Sequence, residues 1–78
     1  MISLFLAVIG AIMNDIASKI RERRKSRGLT QAKLAELAGV SLSVVKSIEN
    51  GNPKVAFENV SRVLAIFGLK LTTKEDNS

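Results

Sequence analysis

The sequence predicts a compact all-α domain of four to five short helices, and three observations support this. Apolar residues recur three and four positions apart in several stretches of the chain, which is the spacing of one helix face. Most of these stretches end at a glycine, a residue that commonly terminates a helix. The chain of 78 residues contains no cysteine, so its small core must be stabilised by helix packing or oligomerisation instead of disulfides.

The first thirteen residues, MISLFLAVIGAIM, carry no charge and precede the first well-patterned helix. The run is shorter than the about 20 residues that span a membrane. It also lacks the basic start and the small-residue cleavage site of a signal peptide. A membrane span and secretion are therefore not expected. Three interpretations stay open: an extension upstream of an alternative start at Met13, an arm that packs on a partner subunit, or a membrane-surface segment.

The predicted domain covers residues 14–72, and a polar tail follows at residues 73–78. The first helix begins at Asp15, turns Ile16 and Ile20 inward and ends at Gly28. Residues 19–27 of this helix contain six basic side chains and one acid, within a net charge of +5 for the chain. Such a cluster indicates a surface for phosphates or anionic lipid, or a solvated helix face.

Two short helices follow and are joined by a tight turn. Thr30 and Ser41 are residue types that cap a helix N-terminus, and Gly39 can take the positive φ that the turn requires. Val45 and Ile48 lie three positions apart and face the core from the second of these helices. The sequence therefore predicts two helices that cross at close range.

A fourth helix supplies much of the predicted core. Pro53 cannot continue a helix, so a turn separates the third helix from the fourth. The apolar residues on the inner face of the fourth helix are Val60, Val63, Leu64 and Phe67. Leucine then alternates with polar residues in LKLTT, residues 69–73, which favours a short C-terminal strand.

The residue types exclude most catalytic chemistry. The chain has no histidine and no cysteine, which removes the commonest general base and metal ligand and the thiolate nucleophile. Ser43 or Ser47 with Lys46 as base would lie on one exposed helix turn, without a pocket or an oxyanion site. We therefore expect no enzyme activity, no small-molecule substrate, no cofactor and no metal.

The chain resembles a known family through GLTQ, LAELAGVS and IENG, taken together. The matching packing positions are Leu34, Ala35, Ala38, Gly39, Val40, Val45 and Ile48. Over about residues 14–72 the pattern resembles the helix-turn-helix of the Xre/Cro/phage-repressor family. The continuation NPKVAFENVSRVLAIFGLKL is similar to HipB-like antitoxins, whose domain ends in a strand that pairs with its copy in a dimer.

This resemblance implies a repressor-like fold and a dimeric repressor in the cytoplasm, associated with the nucleoid. Its partner would be double-stranded DNA carrying an inverted repeat. The homodimer would bury Leu69 and Leu71 across its two-fold axis. The narrower likeness implies an antitoxin that autoregulates its operon and neutralises a HipA-like toxin kinase. The alternatives are a stand-alone Xre-type regulator of phage or chromosomal origin, or a protein-interaction module on the same scaffold.

The resemblance also implies which residues touch DNA, with the second motif helix lying in the major groove. The DNA-binding set is Thr30, Gln31, Lys33, Ser41, Leu42, Ser43, Lys46, Ser47, Asn50 and Lys54. Many relatives have Gln, Thr and a long polar residue at the positions of Leu42, Val44 and Ser47. Leucine and serine cannot make a bidentate contact with a base, so direct readout should be weak and DNA shape should contribute.

Two further expectations concern single side chains. The resemblance pairs Arg24 with Glu49 as a partly buried structural ion pair. Leu42 and Val44 could instead pack on the preceding helix or on a partner, and Gln31 could be an ordinary capping side chain.

Overall fold

Four α-helices make up most of the described chain. The computed structural model describes residues 2–69, and within them α1 spans Ile2–Ser26, α2 Gln31–Ala38, α3 Leu42–Glu49 and α4 Phe57–Ile66. Helices α2 and α3 pack against each other, and α3 also packs on α1 and α4. The all-α prediction is therefore confirmed for these residues.

The first helix begins at Ile2, and the predicted start at Asp15 was wrong. The stretch before Asp15 consists largely of Leu, Ile, Ala, Val and Met, and most of these residues favour or tolerate a helix. Nothing in it terminates a helix, because Gly10 is tolerated in a helix interior and Asn14-Asp15 continue the turn. The predicted boundary between residues 13 and 14 thus falls inside one continuous helix.

The predicted strand at residues 69–73 lies outside the described residues except for Leu69, which belongs to no strand. The backbone N–H of Leu69 donates to Leu64 O at 3.0 Å and closes the C-terminal end of α4. Its side chain is partly buried and packs against the core of its own chain. Leu71, the other predicted dimer-interface residue, is outside the described range.

The core lies where α3 meets the other three helices. Its largest fully buried side chains are Ile20, Leu34, Val45, Ile48 and Val63. The predicted inner residues of α4 are all buried as well. The helical spacing of apolar residues therefore identified the core in each helix of the domain.

The turn between α2 and α3 has the predicted geometry. Gly39 has φ 72° and ψ 33°, a left-handed conformation that favours glycine. The N–H of Val40 then donates to Ala35 O at 3.1 Å, which satisfies a carbonyl at the end of α2. The chain reverses within a few residues, so α3 can cross α2 where Ala35 is small.

Candidate nucleic-acid interface

One face of α3 is exposed and carries small polar and basic side chains. Ser41 caps the helix, because its Oγ accepts from the N–H of Val44 at 3.1 Å. Leu42, Ser43 and Lys46 are exposed, and Ser47 is half-buried. The opposite face is buried in the core. Helix α3 therefore presents a short outward surface whose position is fixed by the residues behind it.

Val44 does not belong to this outward surface. Its side chain is partly buried and packs against the hydrophobic core, as one of the two sequence interpretations proposed. Leu42, in contrast, keeps 39% of its surface exposed. The outward face of α3 thus includes one apolar side chain at its first turn, suited to a thymine methyl group.

Helix α2 precedes α3 in the chain, and its N-terminus has the features that bind a phosphate. Thr30 Oγ1 accepts from the N–H of Lys33 at 3.0 Å, which caps the helix as predicted. The helix dipole and the remaining N–H groups favour an anion at this end. Lys33 adds a positive charge, and its exposed ion pair with Glu36 at 3.5 Å is weak enough to be exchanged for a phosphate.

Glu49 is a buried carboxylate that is held from two helices. Arg24 Nε donates to its Oε2 at 2.6 Å, and Arg24 Nη2 donates to its Oε1 at 3.1 Å. Gln31 Nε2 donates to the same Oε1 at 3.0 Å. Glu49 itself is only 3% exposed. The structure therefore contains the predicted Arg24–Glu49 pair and adds Gln31 to it.

This contact changes the interpretation of Gln31. The sequence assigned it to the DNA backbone or to an ordinary cap, but in the structure its amide N–H is donated to Glu49. The side chain is half-buried at the first residue of α2. Glu49 thereby fixes the orientation of the Gln31 amide. Within the described residues, the oxygen of this amide accepts no hydrogen bond.

Arg21 and Arg24 of α1, together with Arg27 just after its end, lie three positions apart in sequence and are called the arginine row. Arg21 Nη1 donates to Glu49 O, at the last residue of α3. Arg27 Nη1 donates to Ile66 O at 3.1 Å, at the last residue of α4. The positive charges of Arg21 and Arg27 therefore lie at the negative ends of the α3 and α4 helix dipoles.

This arginine row corrects the interpretation of the basic cluster. The sequence interpreted the basic residues at 19–27 as a surface for phosphate or lipid, or as a solvated face, except for Arg24, which it paired with Glu49. In the structure, Arg24 also donates to Leu29 O at 3.0 Å, and the guanidinium of the exposed Arg27 lies 5.1 Å from the centre of the Phe67 ring. Arg21 and Arg27 thus join Arg24 in contacts within the domain, and Lys19, Arg23 and Lys25 are exposed.

The last predicted DNA contacts lie beyond α3. Asn50 is exposed at the C-terminal cap of this helix. Lys54 is exposed too, and its backbone N–H donates to Asn52 Oδ1 at 2.9 Å, which shapes the turn. Together with Lys46 they give the α3 side of the molecule a positive, hydrogen-bonding edge.

Comparisons with known proteins agree with this geometry. A family model described as helix-turn-helix, of the Xre/Cro type, matches residues 20–73. The chain belongs to this family. It is 37% identical over 67 residues to the HTH-type transcriptional regulator SinR of Bacillus licheniformis, an alignment that covers 81% of this chain and 60% of SinR. No solved structure matches the chain.

A second relative is matched over a smaller part of its length. The chain is 32% identical over 54 residues to the HTH-type transcriptional regulator PuuR of Escherichia coli K12, which covers 69% of this chain and 29% of PuuR. The chain therefore spans less than two thirds of each of these regulators. What it shares with them is the helix-turn-helix domain, so the chain carries the DNA-binding domain of a transcriptional regulator.

Proposed function

We propose that this protein is a non-enzymatic transcriptional repressor that acts as a dimer on an inverted-repeat operator in the cytoplasm. One observation carries the proposal: the capped N-terminus of α2 and the outward face of α3 are both exposed while α3 is fixed from behind. Two-fold symmetric proteins read two-fold symmetric sites, and the half-sites of such an operator lie about 34 Å apart.

The chemistry of the α3 face supports limited direct readout. Ser43 and Ser47 offer hydroxyl groups to any base, and only Lys46 offers a charge to guanine or phosphate. Asn50, Lys54 and the N-terminus of α2 provide contacts that position the domain without reading sequence. We therefore infer that operator choice depends on half-site spacing and DNA shape as well as on these few side chains.

A narrower version of the proposal is a HipB-like antitoxin that represses its own operon and neutralises a HipA-like kinase. It is supported by the likeness of residues 52–71 to such antitoxins. The matched relatives are named transcriptional regulators, which equally supports a stand-alone regulator. Co-purification with the product of a neighbouring kinase gene would favour the antitoxin. A kinase that neither binds the chain nor loses activity in its presence would contradict it.

Binding to DNA tests the proposal directly. Fluorescence anisotropy would compare DNA from upstream of the protein's own gene with a scrambled sequence, across about 50–200 mM salt. We expect tighter binding to the upstream DNA at every salt concentration. Equal binding to both DNAs that collapses with salt would contradict a sequence-reading repressor, because only phosphate attraction would remain.

A pair of variants makes this test specific for α3. Lys46→Ala and Lys19→Ala each remove one positive charge, but Lys19 lies on the outer side of α1. We expect Lys46→Ala to weaken binding about tenfold and Lys19→Ala to have a much smaller effect. Equal losses would mean that net charge, and not the α3 surface, determines the affinity.

A further inference from the structure

The first part of α1 exposes an unusually large apolar surface. Here "the arm" denotes residues 3–12. Five of its six large apolar side chains are at least half exposed, namely Leu4, Phe5, Leu6, Val8 and Ile12, and Ile9 is half-buried. The arm contains no charged residue. Monomeric proteins rarely leave a continuous patch of this kind in water, so the arm needs a partner surface.

The rest of the domain does not provide that surface. Helix α1 contacts the core only from Met13 onward, through the partly buried Met13 and Ile16 and the buried Ala17 and Ile20. Leu4, Phe5 and Leu6 are consecutive, so they point about 100° apart around the helix, and all three are exposed. The arm therefore projects beyond the domain with apolar residues around most of its circumference.

A membrane is a poor fit for the arm, although α1 has the length and composition of a spanning helix over Ser3–Ser26. Ala17 and Ile20 within that range are buried in the domain core. The arm alone extends about 15 Å, half of the hydrocarbon thickness. Lying flat would require a polar face, which it lacks.

We propose that the arm packs against the arm of a second copy of this chain, in antiparallel orientation around Val8. Leu4 of one copy then lies opposite Ile12 of the other. Asp15, the first charged residue after the arm, comes next to the first turn of the partner's helix. That turn carries the positive end of a helix dipole and unpaired N–H groups.

Charge complementarity decides between the two orientations. A parallel pair would bring the two Asp15 carboxylates together and the two positive helix ends together, and both contacts are repulsive. In the antiparallel pair, each Asp15 carboxylate instead lies next to the positive helix end of the other copy, which is an attraction. Since the arm itself is uncharged, Asp15 and the helix ends are the charges that set its orientation.

The area of the arm predicts a weak dimer. Leu4, Phe5, Val8 and Ile12 lie within about 100° of one another around the helix, whereas Leu6 lies on the opposite side and stays in water. If each of these four side chains buries about 100 Å², two arms together bury about 800 Å², which is less than a stable specific interface buries. We therefore expect dissociation in the micromolar range from the arm alone. A second contact elsewhere, such as one at the C-terminus, would strengthen it.

Pairing of the arms would also orient the two α3 helices, a consequence that rests on the proposed DNA-binding function. The same α1 helix that forms the arm holds the C-terminal end of α3. Arg21 and Arg24 bond to Glu49, and Asn14 lies against Gly51. The arm dimer would thus set the distance between the two DNA-reading surfaces through a continuous helix.

Cross-linking of the full chain tests the pairing, because the natural chain has no cysteine. We would mix Leu4→Cys with Ile12→Cys under mild oxidation and compare each variant alone. The proposal predicts that the mixed disulfide forms several-fold faster than either homodimer. Fast Leu4→Cys homodimers would overturn the antiparallel orientation. Rates no higher than for Leu37→Cys, an exposed position on α2, would overturn the pairing itself.

A second experiment uses charge and leaves the domain core untouched. Val8→Glu and Val8→Lys should each dimerise several-fold more weakly than the natural chain by analytical ultracentrifugation, and an equal mixture should regain the affinity of the natural chain. A mixture that dimerises as weakly as each variant alone, or single variants that dimerise as tightly as the natural chain, would contradict the proposal. If the natural chain co-sediments with phosphatidylglycerol vesicles and the Val8→Glu variant does not, the arm binds a membrane surface and the proposal is contradicted.

These experiments contain no DNA, so their failure is distinguishable from failure of the proposed function. Loss of arm pairing with intact preference for the upstream DNA would refute only the arm dimer. Arm pairing with no preference for that DNA would refute only the repressor.

Discussion

Residues 3–12 and residues 13–26 belong to one helix and both carry apolar side chains at helical spacing, but their surroundings differ completely. In the second half Ala17 and Ile20 are buried, and Arg21 donates to the last residue of α3. In the first half Leu4, Phe5 and Val8 are in contact with solvent. An apolar helical pattern therefore shows that a surface must be covered, and the rest of the fold determines whether this chain covers it.

An isoleucine-to-alanine substitution should therefore change the free energy of unfolding very differently in the two halves of α1. Ile20→Ala should lower the free energy of unfolding by about 2–5 kcal/mol, because it leaves a cavity among fully buried side chains. Ile12→Ala, at a half-exposed position, should change it by less than about 1 kcal/mol. Urea denaturation of both variants measures this. Similar losses would mean that the arm is part of the cooperative core.

The contact of α1 with α3 should make the next largest contribution. Glu49→Ala leaves the Arg24 guanidinium without its carboxylate in a site where Arg24 is 13% exposed, so we expect a loss of about 3 kcal/mol. Glu36→Ala removes an exposed ion pair and should change the stability by less than about 1 kcal/mol. An unchanged melting temperature for Glu49→Ala would refute the structural role of the pair.

Replacing two glycines with alanine should have opposite effects, one after α3 and one in the arm. Gly51 has φ +77°, and an added Cβ would lie 2.3 Å from Asn14 Oδ1, so Gly51→Ala should destabilise by about 1–3 kcal/mol. Gly10 lies in the arm with nothing within 4 Å of its added Cβ. Gly10→Ala should therefore raise the helicity of the arm, as seen by circular dichroism. A stabilising Gly51→Ala would show that α1 does not approach the turn after α3.

Gln31 should make a smaller contribution to stability than Ile20, Glu49 or Gly51. Gln31→Ala removes one hydrogen bond to Glu49, which contributes about 1 kcal/mol. If the amide also positions the DNA backbone, the variant should bind upstream and scrambled DNA more weakly by the same factor. Anisotropy titrations with both DNAs measure this, and a loss confined to one sequence would contradict a backbone role.

Much of the domain was predictable because short-range rules govern it. The caps at Thr30 and Ser41, the left-handed turn at Gly39 and the inward residues of α3 and α4 all follow from local residue types and spacing. The Arg24–Glu49 pair was predictable from family resemblance. The described structure contains each of these features.

The features that the sequence did not predict depend mostly on contacts between residues far apart in the chain. Gln31 and Glu49 are 18 positions apart, and no local pattern connects them. The contacts of Arg21 and Arg27 were missed because all basic residues of this run except Arg24 were interpreted by their charge alone, while their partners Glu49 and Ile66 are 28 and 39 positions away. The helix start was missed because Asn14-Asp15 was taken as an N-terminus when the preceding residues already favoured a helix.

Hydrogen exchange at increasing protein concentration tests the central contrast within α1 most directly. In dilute solution we expect amides of residues 3–12 to exchange rapidly, because an isolated helical arm is marginal in water. Amides of residues 16–26 should be as protected as the core. Raising the concentration should slow exchange in the arm alone. Equal protection of both halves at every concentration, or an arm that never gains protection, would contradict the account.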